Sequence, residues 1–246
     1  MSYEANKRIA KNTVMLYIRL LFSMFVSLYT SRIVLNTLGV EDYGIYNVVG
    51  GIVTMFSFLN GAMAEGIQRF LTFELGRKDA IQLSRVFSMS MNIHLMIALA
   101  VFVFAETLGL WFVNTQLTIP SERMGAANWV YQFSIFSAMV GICSVPYNAV
   151  IIAHERMNVY AYVGILEVIL RLIIVFLLQW YGYDKLKFYA VLVFSVSLIV
   201  RLIYGRYSKI HFTETRFKFY WNKRRKEKSV EIHYMETTSM VVEWNS

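Results

Sequence analysis

Glu167 and Arg171 stand four residues apart inside an otherwise apolar run from about residue 158 to 181. On a helix that spacing puts carboxylate and guanidinium on one face, where they can pair. Arg19 and Arg201 each interrupt an apolar run of their own. These runs therefore bury three cations against one anion, with Glu65 as the nearest further counter-charge. Guanidinium groups match phosphate oxygens bidentately, so the surplus suits a phosphate-bearing ligand. Asn47 and Asn148 also fall within apolar runs. Each offers both donors and an acceptor.

Other chemistries lack their residues. The histidines at 94, 154, 211 and 233 are scattered, and there is one cysteine, Cys143, in an apolar setting. No disulfide can form within the chain, and no metal-ligand spacing exists. There is no phosphate-binding glycine loop, no H-E-x-x-H and no G-x-S-x-G. The expectation is a protein that is not an enzyme and carries no cofactor or metal. No helix-turn-helix, zinc or RNA-binding pattern appears, so the net charge of +8 does not point to nucleic acid. Loops facing an anionic lipid surface explain it instead.

The elements that must position these residues follow from composition. The 246 residues are 57% hydrophobic and only 16% charged, against a charged share of about 25% in soluble domains. Mean hydropathy is +0.48. Six segments reach the roughly 20 apolar residues that a membrane-spanning helix needs. They are 12–38, 44–64, 86–112, 127–153, 158–181 and 187–207. The fold class expected is all-α and polytopic. Residues 1–11 form a cytoplasmic N-terminus, 12–207 a six-helix membrane lobe and 208–246 a polar, basic cytoplasmic tail. The first run is too long for a signal peptide, contains Arg19 and lacks a small-residue cleavage site, so it reads as a retained helix.

Charge sets orientation. With the N-terminus in the cytoplasm, seventeen Lys and Arg residues lie inside, and only Arg123, Lys185 and Lys187 lie outside. The positive-inside rule then places both termini in the cytoplasm. Residues 38–44 read as a short outer turn. Segment 65–85 mixes apolar and basic residues, as an amphipathic helix on the inner surface would. Pro146 and the Gly50–Gly51 pair mark points where helices can bend.

Polar residues inside a bilayer face a bundle interior or a watery cavity. At 100° per residue, Asn12, Arg19, Ser23, Thr30 and Thr37 fall within about 40° of arc. Asn47, Gly50, Gly51, Thr54, Ser57, Gly61 and Glu65 make a second stripe. Ser134, Ser137, Gly141, Ser144 and Asn148 make a third, and Tyr160, Gly164, Glu167 and Arg171 a fourth. Ser197, Arg201, Tyr204 and Ser208 complete the set. For the small residues, close helix packing is the plainer explanation. For the charged ones a hydrated cavity is favoured. Arg32 lies off its stripe, and His94 reads as structural.

Several blocks recur together here. They are Arg8–Thr13, Thr30-Ser31-Arg32, Leu38-Gly39-Val40-Glu41-Asp42-Tyr43-Gly44-Ile45-Tyr46, Gln68-Arg69-Phe70-Leu71 and Pro146–Met157, continuing to Glu167. With them the chain resembles the Wzx-type polysaccharide and O-antigen flippases of the multidrug/oligosaccharidyl-lipid/polysaccharide exporter superfamily over about residues 6–220. The resemblance implies one six-helix lobe of a MATE-like fold in the bacterial cytoplasmic membrane. It implies movement of a lipid-linked oligosaccharide, of the undecaprenyl-diphosphate type, between leaflets. Arg19, Arg171 and Arg201 would attract the diphosphate, with Glu167 as counter-ion or coupling site and Asn47 and Asn148 along the path.

The chain departs from that family in length, since members have roughly twice as many spans. Residues 221–246 hold five basic and four acidic residues and no apolar run. They read as a truncation with a shifted frame, or as the end of a genuine half-transporter completed by dimerisation with a second lobe. A drug exporter of the same superfamily is the nearest alternative. A non-catalytic membrane subunit of a glycan-assembly complex is another.

Overall fold

A computed structural model describes residues 3–55 and 58–215. The helices are α1 (Tyr3–Thr54), α2 (Phe58–Gly76), α3 (Ala80–Phe104), α4 (Leu110–Thr115), α5 (Met124–Ala153), α6 (Met157–Trp180) and α7 (Lys185–His211). No strand occurs among the described residues. Five helices are long and apolar enough to cross a membrane, beginning with Thr13–Thr54 of α1. The all-α, polytopic membrane class holds.

α1 is two rods. Gly39, at φ 82° and ψ 167°, is its non-helical point. That region is open essentially to glycine alone. The first arm runs beside α6, with Arg19 over the Tyr160 ring near its start and Val34 beside Ile174 and Val175 near its end. The second arm runs beside α5, with Asp42 at Arg123 and Gly50 at Ser134. α5 and α6 are joined by a three-residue turn and lie antiparallel, so the two arms do too. The expected turn over 38–44 therefore contracts to one residue, because Val40–Gly44 are helical. The expected second span, 44–64, is divided between the second arm and α2. Residues 65–76 of the expected surface helix lie on α2, which ends in a turn with Lys78 at φ 56°.

Asp79 caps α3, its carboxylate accepting from Ile81 and Gln82 amides at 3.1 and 3.0 Å. This satisfies amides that a helix start leaves unpaired. Between α3 and α4 the backbone takes one wide π turn, Ala105–Gly109. The Tyr131 hydroxyl fills it, donating to the Ala105 carbonyl at 2.7 Å. A Cβ at Gly109 would meet that hydroxyl at 1.9 Å, so only glycine fits. α5 is the hub, packing on α7, α2, α3 and α1. It remains helical through Pro146 and ends in a Schellman turn. There Arg156 N–H donates to Ile151 O at 3.0 Å, with Glu155 at φ 56°.

The two larger core clusters among the described residues stack along the bundle. One joins Leu71, Phe87, Tyr147, Ile151, Val163 and Phe212. The other joins Val49, Val53, Val130, Tyr131, Ile135 and Leu186. Outward, Leu20, Phe25, Leu28, Trp111, Phe176 and Leu202 are exposed. A belt of this extent on a soluble surface would be a liability; in lipid it faces its own kind. α7 continues four residues past the expected end of its span, to His211. Phe212, Glu214 and Thr215 are buried after it, so the expected tail boundary at 208 falls within packed structure. Residues 216–246, on which the charged-tail reading falls, lie outside the described residues.

Candidate functional site

The polar stripes of the arms, α5, α6 and α7 converge on a groove of three compartments that share Arg171. The first, about 510 Å³, is lined by Asn47, Gly50, Gly51, Thr54, Ser134, Ser137, Gly141 and Ser197, with Tyr46 and Phe133 as walls. Apart from Arg171 its lining is uncharged. The second, about 290 Å³, holds Arg19, Glu167, Arg171, Asn148, Tyr160 and Tyr204. The third, about 230 Å³, lies between the arms of α1 and carries Ser23, Ser27, Thr30, Tyr43 and Tyr189.

Glycine marks which stripes face space. A Cβ at Gly51 or Gly141 would meet nothing within 4 Å, and at Gly50 only the Ser134 hydroxyl at 3.8 Å. These residues keep the groove open; they do not bring helices together. Gly164 differs, because a Cβ there would lie 2.0 Å from Arg19 Nε. It is the seat that lets α1's guanidinium reach across to α6. The Arg19 guanidinium carbon then lies 4.2 Å from the centre of the Tyr160 ring. An aromatic face stabilises a cation without consuming its hydrogen-bond donors. Among the described residues no carboxylate pairs with Arg19.

Glu167 and Arg171 do pair. One carboxylate oxygen accepts from Arg171 Nη2 at 2.9 Å and from Nε at 3.2 Å. Both side chains remain partly open to the groove. Asn148 brings a buried carbonyl oxygen with no hydrogen-bond partner into the same compartment. Asn47 spends one amide hydrogen on the Tyr43 carbonyl at 2.7 Å and turns into the neutral compartment. Five of the six residues expected from sequence thus line one groove. Arg201 does not line it. Its guanidinium carbon sits 4.0 Å over the Tyr147 ring and close to Gly205. Tyr46 and Tyr189, whose rings meet edge to face at 4.7 Å, were not expected. Neither falls in a stripe named above, so their place in the groove comes from how the helices pack.

Both ends of the groove are tied. At one end Arg123 forks onto Asp42, with Nε to Oδ1 at 2.8 Å and Nη2 to the other oxygen, and reaches Asp184 at 3.4 Å. Hydrogen bonding to Asp42 is the main cause that raises Arg123 above its ordinary pKa, against the opposing pull of burial. One side chain thus joins the second arm, α5 and the start of α7. At the other end the His154 ring stacks on Phe212 at 4.1 Å and its Nε2 pairs with Glu214. Burial alone would push the Glu214 carboxyl up. Hydrogen bonds from His154, its own backbone amide and Thr213 outweigh it and hold the carboxyl below the usual glutamate value.

His94 is buried, with Nδ1 2.8 Å from the Ser90 carbonyl oxygen, and lies away from the groove. A family model described as polysaccharide biosynthesis protein matches residues 9–231. Comparisons with curated proteins and with solved structures give no match.

Proposed function

The chain belongs to the polysaccharide biosynthesis protein family, and on that premise we propose that it carries a lipid-linked oligosaccharide across the bacterial cytoplasmic membrane, from inner to outer leaflet. The observation that carries the reading is the groove centred on Arg171. An unpaired guanidinium, Arg19, stands on one side of it and a neutral, hydroxyl-lined space on the other. A lipid diphosphate bearing sugars has those same two parts, an anion and a body rich in hydroxyls. The polyprenyl chain would stay in the bilayer, outside the groove, against the apolar belt.

The protein's task in this reading is physical. It replaces the water around diphosphate and sugar with fixed donors and acceptors, so that the polar head crosses without the full cost of bare hydrocarbon. No covalent step is required and none of the groove residues forms a nucleophile–base pair. The first arm of α1, the second arm continued by α2, and the four apolar helices that follow make six passes, and both termini lie in the cytoplasm. The Arg123 end then faces outward and the His154 end inward. Release to the outer leaflet requires the Arg123 clasp to open. A second lobe, from another copy or another chain, would wall the groove off from lipid.

A cation exporter fits less well, because Glu167 is the one carboxylate lining the groove among the described residues, and Arg171 already occupies it. The test is translocation of a fluorescent glycan-diphosphate lipid in proteoliposomes, with Arg19→Ala and Arg171→Ala compared at equal protein level. Loss in both is expected. Full transport in both would sink the reading.

A further inference from the structure

We propose that the neutral compartment is a subsite for uncharged, hydroxyl-bearing sugars, with the ligand's anion held at the Arg19 side. This rests on the lipid-linked glycan reading above and adds the class of glycan and its orientation. The argument is a count of donors and acceptors. Thr54 spends its hydroxyl hydrogen on the Gly51 carbonyl at 2.8 Å. Ser137 spends its own on Phe133 O at 2.8 Å, and Ser197 on Val193 O at 3.2 Å, both at the boundary with the charged compartment. Asn47 points an amide hydrogen at Tyr43 O. The hydrogens of these three hydroxyls are turned into the helices, so their oxygens accept, and the donors left to the cavity are the second Asn47 amide hydrogen and the Ser134 hydroxyl.

A wall rich in acceptors selects by having few donors. Phosphate, sulfate and ionised uronic acids are themselves acceptors, and would face oxygen against oxygen except at Arg171, Ser134 and the second Asn47 amide hydrogen. A sugar hydroxyl can donate to each of these oxygens. The 510 Å³ is at the scale of a small-ligand pocket. The Tyr46 and Phe133 rings add apolar faces for the C–H side of a pyranose. The charged compartment is the converse. Arg19 keeps its donors free over Tyr160, and Tyr204 and Arg171 stand opposite. An anion therefore belongs toward the His154 end and the uncharged glycan toward the Arg123 end.

The test uses the full chain in nanodiscs and three probes: a bare polyprenyl diphosphate, the same lipid with a neutral disaccharide, and the same with a disaccharide containing a uronic acid. The wild type should bind the neutral-glycan lipid about tenfold more tightly than the bare lipid, the worth of one or two net hydrogen bonds. The uronic-acid lipid should show less than half that advantage. Asn47→Leu with Thr54→Val should cut the neutral-glycan advantage below about twofold. Ser134→Leu, which fills the compartment without touching an arginine, should do the same and guards against a single misfolded variant. Wild-type binding of the bare lipid with no glycan advantage, an equal or greater advantage for the acidic glycan, or variants that keep the full advantage each overturn the subsite alone. No binding of any diphosphate lipid overturns the flippase reading, and the subsite with it.

Discussion

The neutral and charged compartments meet at Ser137, Gly141, Arg171 and Ser197 and differ in the rest of their lining. One takes most of its polarity from serine, threonine and asparagine side chains that stay close to their own helices. The other is built from Arg19, Glu167, Arg171 and tyrosines, whose groups reach across from one helix to the next. The difference teaches how one bundle can hold a ligand of two natures. Short hydroxyls give position at low entropic cost, since there is little side chain to order. Long guanidiniums give reach and charge, and have to be held by Tyr160 and Glu167 to be of use.

The largest effect should come from the shared wall. Arg171→Ala removes the one cation common to all three compartments and leaves Glu167 unpaired in the groove. Loss of a charge-assisted contact of about 1.5–3 kcal/mol corresponds to roughly 10–100-fold. Translocation of a glycan-diphosphate lipid should fall by that factor, and bare-lipid binding with it. Arg171→Lys restores charge without the fork and should recover only part. An equal effect on a neutral glycolipid lacking phosphate would erase the distinction between compartments.

Next comes Arg19→Ala, which should cost about tenfold in diphosphate affinity. The ratio of glycan-bearing to bare lipid should stay unchanged, because Arg19 lies outside the neutral compartment. A changed ratio would show that the two spaces act as one. Gly164→Ala is the subtler form of the same test. Its methyl would displace a guanidinium now 2.0 Å from the built Cβ, and overpacking of that kind costs about 1–3 kcal/mol. Diphosphate affinity should drop several-fold while Arg19 itself is intact. The expected loss vanishes in the Arg19→Ala background, which a double-mutant cycle would read directly.

The smallest effect concerns the two ends that bound these compartments. Glu214 titrates below its ordinary value when folded, so its contribution is complete above the unfolded value of 4.5 and is lost as pH falls beneath it. Melting of the detergent-solubilised protein should decline with acid in that window. Glu214→Gln should flatten the decline, whereas Arg123→Ala, at the clasp near the neutral compartment, should lower stability at neutral pH, where the Asp42 pair is intact.

Much of the site was legible because a stripe at 100° per residue survives folding. Ser134, Ser137, Gly141, Ser144 and Asn148 were placed together by arithmetic and all line the groove. Glu167 and Arg171 needed only their spacing. Arg201 satisfied the same arithmetic and does not line the groove, since backbone phase fixes where Cβ points and a long side chain can fold away, here onto Tyr147. Gly164 was read as a packing residue because a glycine's sequence does not say what fills the space above it. The contraction of 38–44 to a single break was hidden for a related reason. Glu41, Asp42 and Tyr43 look like a turn locally, but Asp42 is held on the helix by Arg123, far away in the chain. The arrangement of the last turn, Phe212 to Thr215, depends on contacts with α3 that no local pattern announces.

Gly39 also bears on how the protein is made. A one-residue break leaves no loop to translocate separately, so the stretch Thr13–Thr54 has to enter the bilayer as a closing hairpin. At that moment Arg19 has neither Gly164 to sit on nor Tyr160 to lie against, since α6 is not yet synthesised. A lone arginine in an apolar span costs up to about 2.5–3.5 kcal/mol on insertion scales, the value for the bilayer centre. The nascent hairpin therefore carries a debt that is settled only when the sixth helix of the chain arrives and docks. Until then its first arm is the part of the molecule that a membrane quality-control protease would see first.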